Sequence, residues 1–236
     1  MLKLKLFCFS EHALIHFLKL HIKGVLIVTI THFIISFILA YVFGSMPFGY
    51  WIGRLFFKKN ILQLGSGNIG TTNTFRVLGT KAGVAVLILD ILKGSVGASM
   101  AMIWGPAPAW THMVVGLGAI LGHTFSMWIG FKGGKAVATS MGVLLTYNPL
   151  LFVVAFAIFL TVILLTSMVS MASMIGFTLV SLISIFWLHD WLLSVIAVAL
   201  TIFVFYRHRE NIVRIKNGTE SLVHFGFGYW RQQNNK

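Results

Sequence analysis

Acidic side chains are nearly absent: five Asp and Glu stand against 18 Lys and Arg, a formal net charge of +13. Charge of either sign is scarce, at 10% of residues, where an average globular chain carries about 25%. Only two carboxylates, Glu210 and Glu220, fall in the predicted basic loops. That excludes a two-carboxylate glycosidase and argues against a two-metal centre. A lone cysteine, Cys8, permits neither an intrachain disulfide nor a thiolate metal cage. There is no G-x-x-x-x-G-K-[ST] phosphate loop, and no nucleophile elbow to support a Ser-His-Asp triad.

Apolar residues take the place of the missing charge, at 58% of the 236 residues. One soluble core cannot bury that much apolar surface, so the bilayer acts as a second solvent, and disorder and fibrous repeats are excluded. The basic surplus suits lipid headgroups, the positive-inside rule or an anionic substrate. Nucleic acid is not expected, because the basic residues are not gathered on a polar domain.

A transmembrane helix needs about 20 predominantly apolar residues. Runs of that kind lie at 25–44, 82–104, 111–130, 149–167, 170–188 and 190–206, with a shorter run at 136–147. Arg54, Lys58, Lys59, Arg76 and Lys81 fall in one connection, Lys132 and Lys135 in a second, and Arg207, Arg209, Arg214 and Lys216 in a third. The turns near 105–109, 148–149 and 189–190 carry no Lys or Arg. Positive charge marks the cytoplasmic side. The path from Lys135 to Arg207 must then cross an even number of times, which makes the short run a fourth crossing beside three long ones. The expectation is an all-α integral membrane protein of seven transmembrane helices, amino terminus outside and carboxyl terminus cytoplasmic. Trp104, Trp110, Trp128, Trp187 and Trp191 fall near span ends, as interfacial aromatics do. Residues 1–24 carry Lys3, Lys5, Lys19 and Lys23 and lack a signal-peptide core. They read as an interfacial tail, or as sequence ahead of a later start at Val25, Leu26 or Ile27. Residues 25–220 form the membrane-embedded domain, and 221–236 a cytoplasmic tail.

The three basic connections are unusually rich in glycine, hydroxyls and amides. The first reads Gly65-Ser66-Gly67-Asn68-Ile69-Gly70-Thr71-Thr72-Asn73-Thr74-Phe75-Arg76. Glycines let backbone N–H groups converge on an anion, Ser, Thr and Asn add donors, and Arg76 offers a planar fork for phosphate. The stretch matches G-x-G-x-x-G, but no strand precedes it and Asp90 sits in an apolar span, so dinucleotide binding is rejected. The second connection, Gly130-Phe131-Lys132-Gly133-Gly134-Lys135, opens a helix and combines point charges with free N–H groups. In the third, His208, Asn211, Ile212 and Ile215 share one face if helical, so His208 and Asn211 point into protein. Arg209 and Lys216 face water or headgroups.

Asp90 and Lys93, three apart in the 82–104 span, neutralise each other, since an unpaired charge there costs several kcal/mol. His123 reads as a buried, hydrogen-bonded histidine. His12, His16, His21 and His32 have no evident partners, and no metal site is expected.

Gly44-Ser45-Met46-Pro47-Phe48-Gly49-Tyr50, GSGNIGTTN with Arg76, GFKGGKAVAT, and YRHRENIVRI with NGTE follow in order between about residues 30 and 220. Together they resemble the PlsY-type bacterial acyl-phosphate:glycerol-3-phosphate acyltransferases. The resemblance implies seven helices with the three loops cytoplasmic, in the bacterial cell membrane. It implies transfer of a fatty acyl group from acyl phosphate to the sn-1 hydroxyl of glycerol 3-phosphate, with no cofactor or metal. The partners implied are the two substrates, membrane lipids and the enzyme that makes acyl phosphate. By position, Ser66, Arg76 and Lys135 would hold substrate phosphate, beside Gly133 and Gly134. His208 and Asn211 would complete the pocket and place the attacking hydroxyl. Gly65, Gly67, Asn68, Thr72 and Asn73 would shape the first loop. The proton would go to a phosphate oxygen of the donor, with His208 as the competing base. None of the nine histidines opens a His-x-x-x-x-Asp motif, which separates the chain from the other large acyltransferase class. The chain departs from the family pattern at Asn60–Gln63, where an Asp and an Arg are usual, at Ala136 for Gly, at Ser126 for Pro, and in its extra residues 1–29. A divergent paralogue of weak activity, a transporter of phosphorylated anions and a non-catalytic scaffold are the alternatives. The absence of an internal repeat and the gathering of polar groups at one face disfavour transport.

Overall fold

Each apolar run becomes a helix, and each break falls where the local chemistry demands one. The computed structural model describes residues 29–234. The expected tail at 1–24, with His12, His16 and His21, lies outside the described residues. Helix α1 (29–44) gives way at Ser45–Pro47 to α2 (Phe48–Phe57), because proline has no N–H and disfavours helical backbone in the residue before it. Then follow α3 (Thr71–Leu78), α4 (Thr80–Ser99), α5 (Ala109–Thr124), α6 (Val137–Tyr147) and α7 (Pro149–Thr166). The chain ends in α8 (Val169–Ile183), α9 (Trp191–Arg207), α10 (Arg209–Lys216) and α11 (Phe227–Asn234). Asn148 and Asp190 cap α7 and α9, accepting from Leu151 N and Leu193 N at 3.0 Å each.

Among the described residues five helices are long and apolar enough to cross a membrane, and a sixth joins them if the bent pair α9–α10 counts as one. The short run is a helix of 11 residues, spanning about 16 Å against a hydrocarbon core of about 30 Å. The residues before it run back along α5: Gly133 N donates to Thr124 O and Gly134 N to His123 O, both at 3.0 Å. The second connection therefore lies against the last turn of α5.

In lipid, helices gain little from burying apolar side chains against each other, so close backbone contact through small residues does the work. A Cβ on Gly142 would lie 1.9 Å from Ile91 O and one on Gly94 2.1 Å from Thr139 O, which locks α6 to α4. Gly118 and Gly122 bring α5 against α1, where a Cβ would lie 2.6 Å from Phe37 O and 2.2 Å from Tyr41 O. Large apolar side chains such as Ile38, Ile88, Leu160 and Leu164 remain on the outside, where lipid would meet them. All five span-end tryptophans are exposed. Tyr147 donates to the Asp190 carboxylate at one end of the bundle. The three basic connections gather at the other.

Inside the bundle, Lys93 Nζ lies 2.7 Å from Asp90 Oδ1 and donates to Met46 O at 2.9 Å, so the pair neutralises itself as expected. His123 departs from expectation. It is buried, but its Nδ1 has no hydrogen-bond partner and stops 3.7 Å from Asp90 Oδ1. Lys93 already engages that oxygen, and the backbone of Gly134 packs against the other edge of the imidazole.

Candidate active site

The first connection is organised by one buried amide. Asn73 Oδ1 accepts from Ser66 N at 2.9 Å, while Nδ2 points at the carbonyls of Ile61, Leu64 and Asn68 at 3.1, 3.0 and 2.9 Å. Asn68 Oδ1 accepts from Gly70 N at 2.9 Å. Gly65 and Gly67 take positive φ, 61° and 68°, which allows the chain to wrap around the amide. The opening N–H groups of α3 follow directly. Thr72 and Arg76 stand one helical turn apart on its exposed face, with Ser66 exposed nearby in sequence. Ile129 packs against the cluster of Ile61, Ile69, Leu78 and Ala82, placing this loop beside the second connection.

The second and third connections meet directly. Lys135 Nζ donates to Asn211 Oδ1, and Asn211 Nδ2 donates to Glu220 Oε1 at 2.6 Å. Ser170 Oγ donates to the same carboxylate oxygen at 2.9 Å, and Arg214 Nε to the other at 2.8 Å. Arg207 Nη2 donates to Gly133 O at 3.1 Å and Gly134 O at 2.9 Å, fixing the glycine pair that precedes Lys135. His208 is buried at a 59° bend between α9 and α10 rather than inside one straight helix. Its Nδ1 lies 2.8 Å from Val204 O, a carbonyl that only accepts, so Nδ1 carries the proton and Nε2 is the basic nitrogen.

Lys135 and Arg214 thus reach Glu220, the first through Asn211, while Arg207 holds the glycine carbonyls beside Lys135, and Glu210 also acts on both Lys135 and Arg207. Burial pushes the Lys135 ammonium down to about 8, the Arg214 charge adds to this, and Glu220 opposes it. Burial works against ionisation of Glu220. The hydrogen bonds from Asn211, Arg214 and Ser170 outweigh it and hold the carboxyl below its usual range.

Lys135, Gly133, Gly134, Asn211 and His208 are therefore brought together, while Gly65, Ser66, Gly67, Asn68, Thr72, Asn73 and Arg76 form a separate, neighbouring loop. Among the described residues no hydrogen bond joins Arg76 or Ser66 to Lys135. Arg207, Arg214, Glu220 and Ser170 are the members the sequence reading missed. The two arginines looked like topology-setting charge. Glu220 carried a signal, since it closes the NGTE segment. An apolar cavity of about 60 Å³, partly open to the outside, lies among α5 to α9, lined by residues including Val137, Ser140, Met141, Phe177 and Leu200. Among the described residues no group of three or more His, Cys, Asp or Glu could hold a metal ion.

The family model described as glycerol-3-phosphate acyltransferase matches residues 34–218. The chain is 58% identical to the glycerol-3-phosphate acyltransferase of Lactiplantibacillus plantarum over 200 residues, covering 85% of this chain and 96% of that one. It is 52% identical to the protein of that name from Enterococcus faecalis over 202 residues, 82% and 93% of the two chains. The fold is similar to crystal structures of PlsY, an integral membrane glycerol 3-phosphate acyltransferase. The glycerol 3-phosphate form gives TM-score 0.75 at 35% identity, covering 81% of this chain and 95% of that one. The lysophosphatidic acid form gives 0.72 at 35%, covering 84% and 96%.

Proposed function

We propose, from the premise that the chain belongs to the glycerol-3-phosphate acyltransferase family, that it acylates the sn-1 hydroxyl of glycerol 3-phosphate with acyl phosphate as donor. The products are 1-acylglycerol 3-phosphate (lysophosphatidic acid) and inorganic phosphate. One observation carries the reading. Three basic side chains come together, Lys135 and Arg214 on the Asn211–Glu220 pair and Arg207 on the Gly133 and Gly134 carbonyls, and Val137, two residues after Lys135, lines the apolar cavity.

The sn-1 oxygen attacks the acyl carbonyl carbon, the new ester C–O bond forms, and the bond from acyl carbon to phosphate oxygen breaks. Lys135, with Ser66 and Arg76 from the neighbouring loop, holds phosphate charge. N–H groups around Gly133 and Gly134 add donors. Asn211 and His208 place the attacking hydroxyl. Its proton passes to an oxygen of the departing phosphate, which suits a site poor in carboxylate bases. His208 Nε2 is the competing acceptor, freed for that role by the Nδ1–H bond to Val204. The acyl chain occupies the apolar cavity.

The short helix α6 and the bent pair α9–α10 complete seven crossings with the five long helices. In this arrangement the amino terminus is outside, the carboxyl terminus cytoplasmic, and the site faces the cytoplasm of a bacterial plasma membrane. The enzyme that makes acyl phosphate is then on the same side.

The test is a donor swap in one purified preparation: palmitoyl phosphate against palmitoyl-CoA, with radiolabelled glycerol 3-phosphate. Lysophosphatidic acid should form from the phosphate donor and not from the thioester. Product from palmitoyl-CoA alone would remove the acyl-phosphate assignment.

A further inference from the structure

Residues 221–234 lie beyond the stretch that the family model matches, and no step above uses them. They nevertheless fold back onto the connection between α7 and α8 through one side chain. Ser167, fully buried, accepts Val223 N at its carbonyl at 2.8 Å, donates its hydroxyl to Phe225 O at 2.7 Å, and accepts Tyr229 N at that hydroxyl at 2.9 Å. Two glycines make the approach possible. A Cβ on Gly226 would lie 2.7 Å from Leu164 O, and one on Gly228 2.3 Å from Thr166 O. Helix α11 is thus seated with its Gly228 face against the end of α7.

The opposite face is aromatic. Phe227 and Trp230, three residues apart, are 73% and 61% exposed, and Phe225 just before the helix is 50% exposed. Docking half-buries the glycines and leaves the large rings out. Those rings continue the outer surface of α7, the most hydrophobic of the long helices at mean hydropathy 2.8, whose Leu164 and Leu165 are also exposed at that end. Polar residues complete the helix: Arg231, Gln232, Gln233 and Asn234. A helix at the end of a lipid-facing span, with aromatic rings outward and polar residues following, matches the environment at the headgroup level of a bilayer.

We propose that α11 is an interfacial membrane helix, with Phe225, Phe227 and Trp230 seated at the boundary between lipid headgroups and acyl chains. The bilayer completes the surface that Ser167 and the two glycines leave uncovered. The seat also constrains the segment from Asn217 to Val223, which carries Glu220 between the Asn211 and Ser167 contacts.

The test places a nitroxide at Phe227, Trp230 or Gln233 in turn, by cysteine substitution of the full chain in a Cys8→Ser background, in lipid nanodiscs. None of these side chains lies on the docked glycine face, and circular dichroism with size-exclusion profiles checks that each variant is folded. Collision with dissolved oxygen should exceed collision with an aqueous nickel chelate at 227 and 230, and the order should reverse at 233. Equal nickel accessibility at all three positions would overturn the proposal by placing the rings in water. Rings shielded from both reagents would overturn it as well, by placing them against protein rather than lipid.

Discussion

Asn211 is gripped from both sides: its amide oxygen accepts from Lys135, 76 residues away in sequence, and its amide nitrogen donates to Glu220. The two contacts fix which end of the amide faces the ammonium, so the side chain acts as a neutral spacer between a cation and an anion. Aspartate in its place would face Glu220 with like charge and neutralise Lys135 from within. Asn211→Asp should lower kcat/KM for glycerol 3-phosphate by roughly 100-fold, the scale of losing one oriented polar group in an active site. Steady-state acyl transfer from palmitoyl phosphate measures it, and wild-type kinetics in the variant would dissociate Asn211 from the chemistry.

The same contacts set a pH dependence. The Lys135 ammonium, pushed down to about 8, loses its proton as pH rises through that value, so phosphate capture weakens on the alkaline side. Glu220, held below the usual carboxylate range, stays ionised across neutral pH and supports the charged lysine. The kcat/KM profile for glycerol 3-phosphate should therefore show an alkaline limb near pH 8. Glu220→Gln should move that limb to lower pH, and Lys135→Arg should remove it. A limb that persists unchanged in the arginine variant belongs to another group.

Asp90 and Lys93 stabilise each other within the bundle, and neither is tolerable alone. Asp90→Leu or Lys93→Met leaves one uncompensated buried charge and should cost about 3–5 kcal/mol. The double variant should recover most of that loss, because it removes both charges at once. Thermal unfolding in detergent, with recovery of monodisperse protein, measures all three variants. Equal damage in the double and single variants would show that the pair does more than neutralise itself.

Ala136 occupies a left-handed conformation, φ 57°, where a glycine is the unstrained choice. Relief of strain on changing it to glycine is worth about 1–2 kcal/mol. The lost methyl burial, about 0.8 kcal/mol, and the added freedom of the unfolded chain offset this. Ala136→Gly should therefore leave stability within about 1 kcal/mol, whereas Ala136→Val, β-branched at positive φ, should lose about 2 kcal/mol or more. Melting temperatures distinguish the two. The departure from the family glycine at this position is thus one the fold absorbs.

Local sequence settles the helices, because a run of apolar residues, a proline break and an Asn or Asp cap act over a few residues: among the described residues all six long runs and the short one at 136–147 are helical, within a few residues. Locality also explains why the Asp90–Lys93 pair was legible, since three residues along a helix is one turn. The connections were recognisable as candidate site loops from their glycines, hydroxyls and basic residues. Their membership was not. The first loop is assembled by Asn73 around its own backbone, while Lys135 reaches across to Asn211 and Glu220, and Arg207 grips the carbonyls of Gly133 and Gly134 from 74 and 73 residues away. No periodicity encodes such pairings. They exist because Gly94 and Gly142 allow α4 and α6 to touch, and because α9 ends against the second connection with a bend at His208. Charge in the sequence marked which connections are candidates for a site; close packing of helices through small residues decided which of those charges come together.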